Sequence, residues 1–132
     1  MIIEAVYSHL KADATLMALC GNLYPQLRPL RVDQPFMLYS LDADERMRML
    51  DGTENLYRRA IITVDVYAKS LVTAEAIADA VESALIDFTG TLGTTSPAVT
   101  VDHSRLERRG PYIFETDTEY HHIPLEFLIG YE

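Results

Sequence analysis

The sequence predicts an α+β fold: a four-stranded sheet, mixed or antiparallel, with two main helices packed mainly on one face and two long inter-strand loops. Three stretches carry that prediction. From Arg58 to Ala68, Ala60, Ile62, Val64, Val66 and Ala68 alternate with Arg59, Ile61, Thr63, Asp65 and Tyr67, the two-residue period of a strand with one face on a core. Directly after it, Ser70 can cap a helix on which Ala74, Ile77, Ala78, Val81, Ala84, Leu85 and Phe88 recur at three- and four-residue steps, with Gly90 as its stop. At the C-terminal end His121, Ile123, Leu125, Phe127, Ile129 and Tyr131 alternate again, giving a second long strand.

Taken in order, the chain starts with Ile3, Val6, Tyr7 and Leu10 on one side of a helix spanning about Ile2 to Lys11. Asp13 can cap a further turn through Leu16, Met17, Leu19 and Cys20, ended by Gly21, so the two form one bent element that completes the core. Pro25 and Pro29 make 22–34 an extended connector. Pro35 then opens a short strand, Phe36 to Leu41, placed at a sheet edge because proline cannot donate to a ladder.

Asp42 to Tyr57 reads as a long loop, and a loop of that length between two strands is functional or disordered. Arg46, Met47, Arg48, Met49 and Leu50 alternate arginine with flexible apolar side chains, the composition of an adaptable protein-contact surface. After the central strand and helix, 90–97 is turn-rich, and Ala98 to Leu106 is a third strand. Glu107 to Thr118 is the second long connection. It sets Arg108 and Arg109 beside Tyr112, Ile113 and Phe114, which suits either an interface or a short strand on the chain's own core. Pro124 inside the last strand, Glu119 to Tyr131, argues for an edge or a bulge.

The length of 132 residues suits a single domain spanning 1–132. One cysteine, Cys20 in the apolar run LMALCG, permits no internal disulfide and reads as a buried structural thiol. The start, MIIEAVYSHLK, lacks the pattern of a secretory signal, and no apolar run reaches membrane-spanning length, so a soluble protein with no membrane partner is expected. A net charge of −9 argues against specific nucleic-acid binding, which needs a clustered positive field. Between Lys69 and Arg105 there is no basic residue, and Glu75, Asp79 and Glu82 fall at i, i+4 and i+7 on one helix face: a solvated surface, an electrostatic docking face or a wall along which a polyanion slides. Nine of the eleven basic residues are arginine, the cation enriched in protein interfaces.

No constellation reads as catalytic or metal-binding, and no cofactor is expected. His121 and His122 point to opposite faces of a strand and cannot share one ion. Asp65 reads as a partner for Arg58, Arg59 or Arg105 rather than as an acid–base residue. There is no nucleophile elbow and no phosphate loop.

Four segments together carry a resemblance: LMALCGN after the first helix, Pro35-Phe36-Met37-Leu38-Tyr39, the unit RRAIITVDVYAKSLVTAEAIADAVESAL, and the closing LEFLIGYE. In this order the chain resembles the small tail-completion or tail-terminator proteins of tailed bacteriophages and prophages. Val64-Asp65-Val66-Tyr67-Ala68 followed by the Ala-Ile-Ala-Asp-Ala-Val helix is its most telling part. The resemblance implies a structural virion protein without catalytic residues. Such a subunit forms a ring, usually a hexamer, on the head-proximal end of the tail and joins tail to head. Its partners would be further copies of itself, the tail tube protein and a head-completion protein, with DNA passing through the ring. It would be assembled in the bacterial cytoplasm. Another head–tail connector, a minor tail protein, or a small cytosolic enzyme or ligand-binding domain are the other readings of the same pattern.

Overall fold

The computed structural model describes residues 2–25, 35–48, 54–86, 88–92, 99–116 and 119–132. Its elements are α1 (Ile2–Lys11), α2 (Ala14–Leu19), β1 (Leu23–Pro25), β2 (Phe36–Arg48), β3 (Glu54–Ala68), α3 (Leu71–Leu85), β4 (Gly90–Leu92), β5 (Val99–Arg109), β6 (Ile113–Glu115) and β7 (Tyr120–Tyr131). The expected four-stranded sheet with two main helices is therefore corrected to a seven-stranded mixed sheet with three short helices.

The strands run β1-β2-β3-β7-β5-β4, with β6 pairing β7 beyond the end of β5. Among the described residues only β1 and β2 pair in parallel; the other pairs are antiparallel. α1 touches β2 near one end of this order and β4 at the other, so the sheet curls around its helices.

Two causes account for the missing strands. β1, β4 and β6 are three residues each, too short for a two-residue period to register. The sixteen-residue loop is in fact mostly strand: β2 continues to Arg48 and β3 begins at Glu54, in one antiparallel hairpin. The segment DADERMR has none of the β-branched residues that mark a strand, and cross-strand pairing supplies what intrinsic preference lacks. Arg58 reaches the Asp44 carboxylate at 3.4 Å and Arg59 reaches Glu45 at 3.2 Å. In the same way β5 runs on to Arg109 and β6 occupies part of the second expected loop.

The core lies between the concave face of the sheet and the helices. β3 turns Ala60, Ile62, Val64, Val66 and Ala68 into it and β7 turns Ile123, Leu125, Phe127, Ile129 and Tyr131 into it. α3 meets them with Ala74, Ile77, Ala78, Val81 and Leu85, and α1 with Ile2, Ala5, Val6 and Leu10. Small alanines on α3 let the helix sit close to the β-branched residues of the strands. α1 and α2 are separate helices. Asp13 holds the corner, its Oδ1 accepting from the Leu16 N–H at 2.9 Å. Ser70 occupies the N-cap position of α3 with extended backbone but makes no side-chain capping bond. Cys20 is buried, and burial raises its thiol pKa.

Pro124 corrects the edge-strand reading of the last strand. β7 is central, flanked by β3 on one side and by β5 and β6 in succession on the other. Pro124 sits where that second ladder passes from β5 to β6, so its missing N–H costs little there. Gly110, at φ +108°, makes the turn at this junction and donates its N–H to the Pro124 carbonyl at 2.9 Å. β2 is likewise not a bare edge at its start, because β1 pairs with Met37 to Tyr39.

Candidate functional site

Two surfaces at opposite ends of β3 stand apart from the core. The first is the outer end of the β2–β3 hairpin. β7 ends at Tyr131, opposite Arg58, so Glu54–Tyr57 is paired only with β2 and the hairpin leaves the sheet as a two-stranded ribbon. Arg46 faces Arg58 and Arg48 faces Glu54 across it. Arg46 is exposed; the side chains of Met47 and Arg48, and Met49 and Leu50 altogether, lie outside the described residues.

The root of the ribbon is tied to the body. The Tyr131 hydroxyl donates to the Asp44 carboxylate, at 2.8 and 2.9 Å from its two oxygens, and Arg58 pairs with the same carboxylate. Burial first, and then the hydrogen bond to Asp44, push the Tyr131 phenol up to about 12. The sequence offered no sign of this anchor, because Asp44 and Tyr131 are 87 residues apart.

The second surface lies at the other end of β3, around β6 and the start of α3. Leu71, Val72, Tyr112, Ile113 and Phe114 are all exposed, Val72 at 77% and Phe114 at 51%. All but Val72 line a hollow of about 130 Å³, together with His121, His122 and Ile123. The Phe114 ring packs against His121 with centroids 4.9 Å apart. Leu71 and Val72 open α3 but lie off its buried stripe, a signal present in the sequence and not used there.

Arg109 and the acidic helix face, expected as separate surfaces, are brought together. The Arg109 guanidinium pairs with Asp79 at 2.7 Å and Glu82 at 2.9 Å, and its Nε donates to the Tyr112 hydroxyl at 2.9 Å. Partial burial works against its charge, but the hydrogen bonds to Asp79 and Tyr112 and the Asp79 charge outweigh it and raise its pKa. Arg109 thus clamps the end of β5 to α3 and fixes Tyr112 beside the hollow. Glu75 stays exposed on α3, and Arg108 is exposed on the outer face of the sheet, opposite Glu126.

Asp65 pairs with none of the three arginines expected for it. Its Oδ1 lies 2.8 Å from His122 Nε2, and the His122 ring stacks on Tyr67, which stacks on Phe36. Glu115 stands 3.8 Å from the other His122 nitrogen. These contacts bridge β2, β3, β7 and β6 on the outer face and hold β6 in place. No group of three or more His, Cys, Asp or Glu among the described residues is arranged to hold a metal ion. Among the same residues no helix is long and apolar enough to cross a membrane.

A projecting charged ribbon and an exposed apolar hollow have the composition found at the contacts of assembly subunits. Comparison with known proteins gives that class a family. The model of the family described as tail completion protein gp17 matches residues 4–132, and the chain belongs to that family. It is a structural protein of the phage tail. Among solved structures the fold is shared by a chain from the virion of a native gene transfer agent particle. That chain is 23% identical with a TM-score of 0.68, the match covering 96% of this chain and 91% of that one. No curated protein matches.

Proposed function

We propose that the protein closes the head-proximal end of a phage tail as a ring of identical subunits, a hexamer by family resemblance, and joins that end to the head. Membership of the tail-completion family supports the place in the tail. The observation that carries the ring is the pair of unlike surfaces at opposite ends of β3. A ring is a heterologous assembly in which each subunit presents one surface to the neighbour before it and a different one to the neighbour after it. The partners are further copies, the tail tube protein and a head-completion protein. Assembly takes place in the bacterial cytoplasm, and DNA passes through the ring without specific contact, repelled by a chain of net charge −9.

Two measurements test this. Light scattering of the purified protein across a wide concentration range should give a closed mass near six subunits, in solution or at the ends of added tail tubes. Tails made without the protein should attach to heads only when it is supplied. A protein that remains monomeric in both settings and leaves joining unaffected overturns the proposal. Arg46→Glu with Arg48→Glu should leave the fold intact and abolish assembly.

A further inference from the structure

A ring of copies needs a seam, and the sheet has two strand edges suited to one. β1 pairs with β2 only as far as Tyr39, and β4 pairs with β5 only as far as Val101. Over 40–45 and 104–108, therefore, neither β2 nor β5 has a second strand beside it among the described residues. A strand edge of this kind is a template for pairing with another chain.

Resting on the ring reading, we propose that the β2 edge of one copy pairs with the β5 edge of the next, joining their sheets into one antiparallel sheet across the seam. Direction is the first argument. β2, β3, β7 and β5 alternate in direction, so β2 and β5 run opposite ways and, side by side between copies, continue the same alternation. The seam also leads to both surfaces of the ring reading. β2 continues outward into the ribbon, and β5 ends at Arg109, next to Tyr112, Ile113 and Phe114.

Height is the second argument. Ser40 pairs with Thr63, Thr63 with Glu126 and Glu126 with Arg108, one row that crosses the sheet from edge to edge; Ala43, Ile61, Leu128 and Arg105 make another. The two open spans therefore lie level, and a neighbour set alongside brings one against the other. Both edges depart from a regular contour next to one further row, from Leu41 to Leu106, where β2 gains Asp42 and β5 gains Glu107. Irregularities of that kind deter indiscriminate pairing with flat strands.

Charge is the third. Asp42 is exposed and bonded to the Thr63 and Ser40 hydroxyls, and none of the described cations pairs with it. Arg108 is exposed on the same outer face at the other edge, and none of the described carboxylates pairs with it. Ser40 and Arg108 end the same row, so level contact sets Arg108 beside Asp42 and gives each charge its partner. Within one copy β3 and β7 hold the two edges three strand spacings apart, about 14 Å of sheet. The contact is therefore satisfied between copies, head to tail, as a closed ring requires.

Charge reversal tests the seam. Asp42→Arg alone and Arg108→Asp alone set like charges together, and each should weaken self-association about tenfold or more, in solution or on tail tubes. Both changes in one chain restore an opposite pair and should return assembly to within about threefold of the wild type. Urea midpoints close to that of the wild type confirm that the variants are folded. Single variants that assemble like the wild type, or a double variant no better than either, overturn the pairing. Amide hydrogen exchange of the unaltered protein gives a reading that depends on no variant. The alternate amides of 40–45 and 104–108 that point away from β3 and β7 should exchange about tenfold more slowly, or slower still, once the protein assembles. A ring without that protection overturns the seam and leaves the ring reading standing. A wild type that forms no closed assembly, in solution or on tail tubes, strikes the ring reading and the seam with it.

Discussion

The two faces of the β3–β7 pair are held by different physics. On the concave face Ala60, Ile62, Val64, Val66 and Ala68 of β3 are exposed by 1% or less and belong to the core that α3 covers. On the outer face Arg59, Ile61, Thr63, Asp65 and Tyr67 of the same strand are partly open and meet their neighbours in pairs. Thr63 bonds the Asp42 carboxylate, Asp65 meets His122, Arg59 meets Glu45, and Tyr67 stacks between Phe36 and His122. Removal of apolar area from water is additive and large; polar pairing near solvent is specific and small. The concave face therefore sets stability, while the outer face sets register and holds β6, with its exposed side chains, in place.

The largest effect that would break this contrast is on the concave face. Phe127 is fully buried, and Phe127→Ala should cost about 3–5 kcal/mol of folding free energy in urea unfolding. A loss below about 1 kcal/mol would mean that the helices do not close over the sheet as described.

Next comes the clamp that ties sheet to helix. Arg109→Ala leaves the half-buried Glu82 without its cation and should cost about 1–2 kcal/mol, discounted because Asp79 remains largely in water. It should also free Tyr112, which amide hydrogen exchange across β6 would report as loss of protection.

Tyr131 sharpens the contrast through pH. Its folded pKa of about 12 stands above the ~10 of an exposed tyrosine, so the neutral form is favoured by folding. That contribution is fully present below pH ~10 and is lost as pH rises through about 12. Tyr131→Phe should cost about 1 kcal/mol at pH 7 by removing the bond to Asp44, and should flatten this alkaline loss relative to wild type. Equal slopes for the two proteins would show that the bond does not form.

The outer face gives the smallest effect. Glu45→Ala removes an exposed pair with Arg59 and should change stability by less than about 0.5 kcal/mol, less still in high salt. A cost near that of Arg109→Ala would erase the distinction between the faces.

Sequence alone determined the elements whose pattern is local and long. β3, α3, α1 and β7 were legible because alternation over eleven residues, or apolar recurrence over four helical turns, is fixed by the geometry of the element itself. The resemblance to tail-completion proteins rested on the same stretches, and the family match over residues 4–132 agrees with it. The arginine–methionine run and the Tyr112 to Phe114 segment were visible as composition, but not as two ends of one strand.

Tertiary structure decided the rest, because the deciding contacts are between residues far apart in the chain. Asp42 to Arg48 became strand only through its partner, the charged side chains finding Arg58 and Arg59 across the hairpin. Arg109 and the acidic face of α3, some thirty residues apart, neutralise one another in place of forming two surfaces. Asp65 meets a histidine 57 residues away, because Arg58 and Arg59 lie seven and six residues back on its own strand and β7, not the β5 that carries Arg105, lies beside it. Strand order is the quantity that no local period encodes, and in this protein it chooses the partners of Asp44, Glu45 and Asp65.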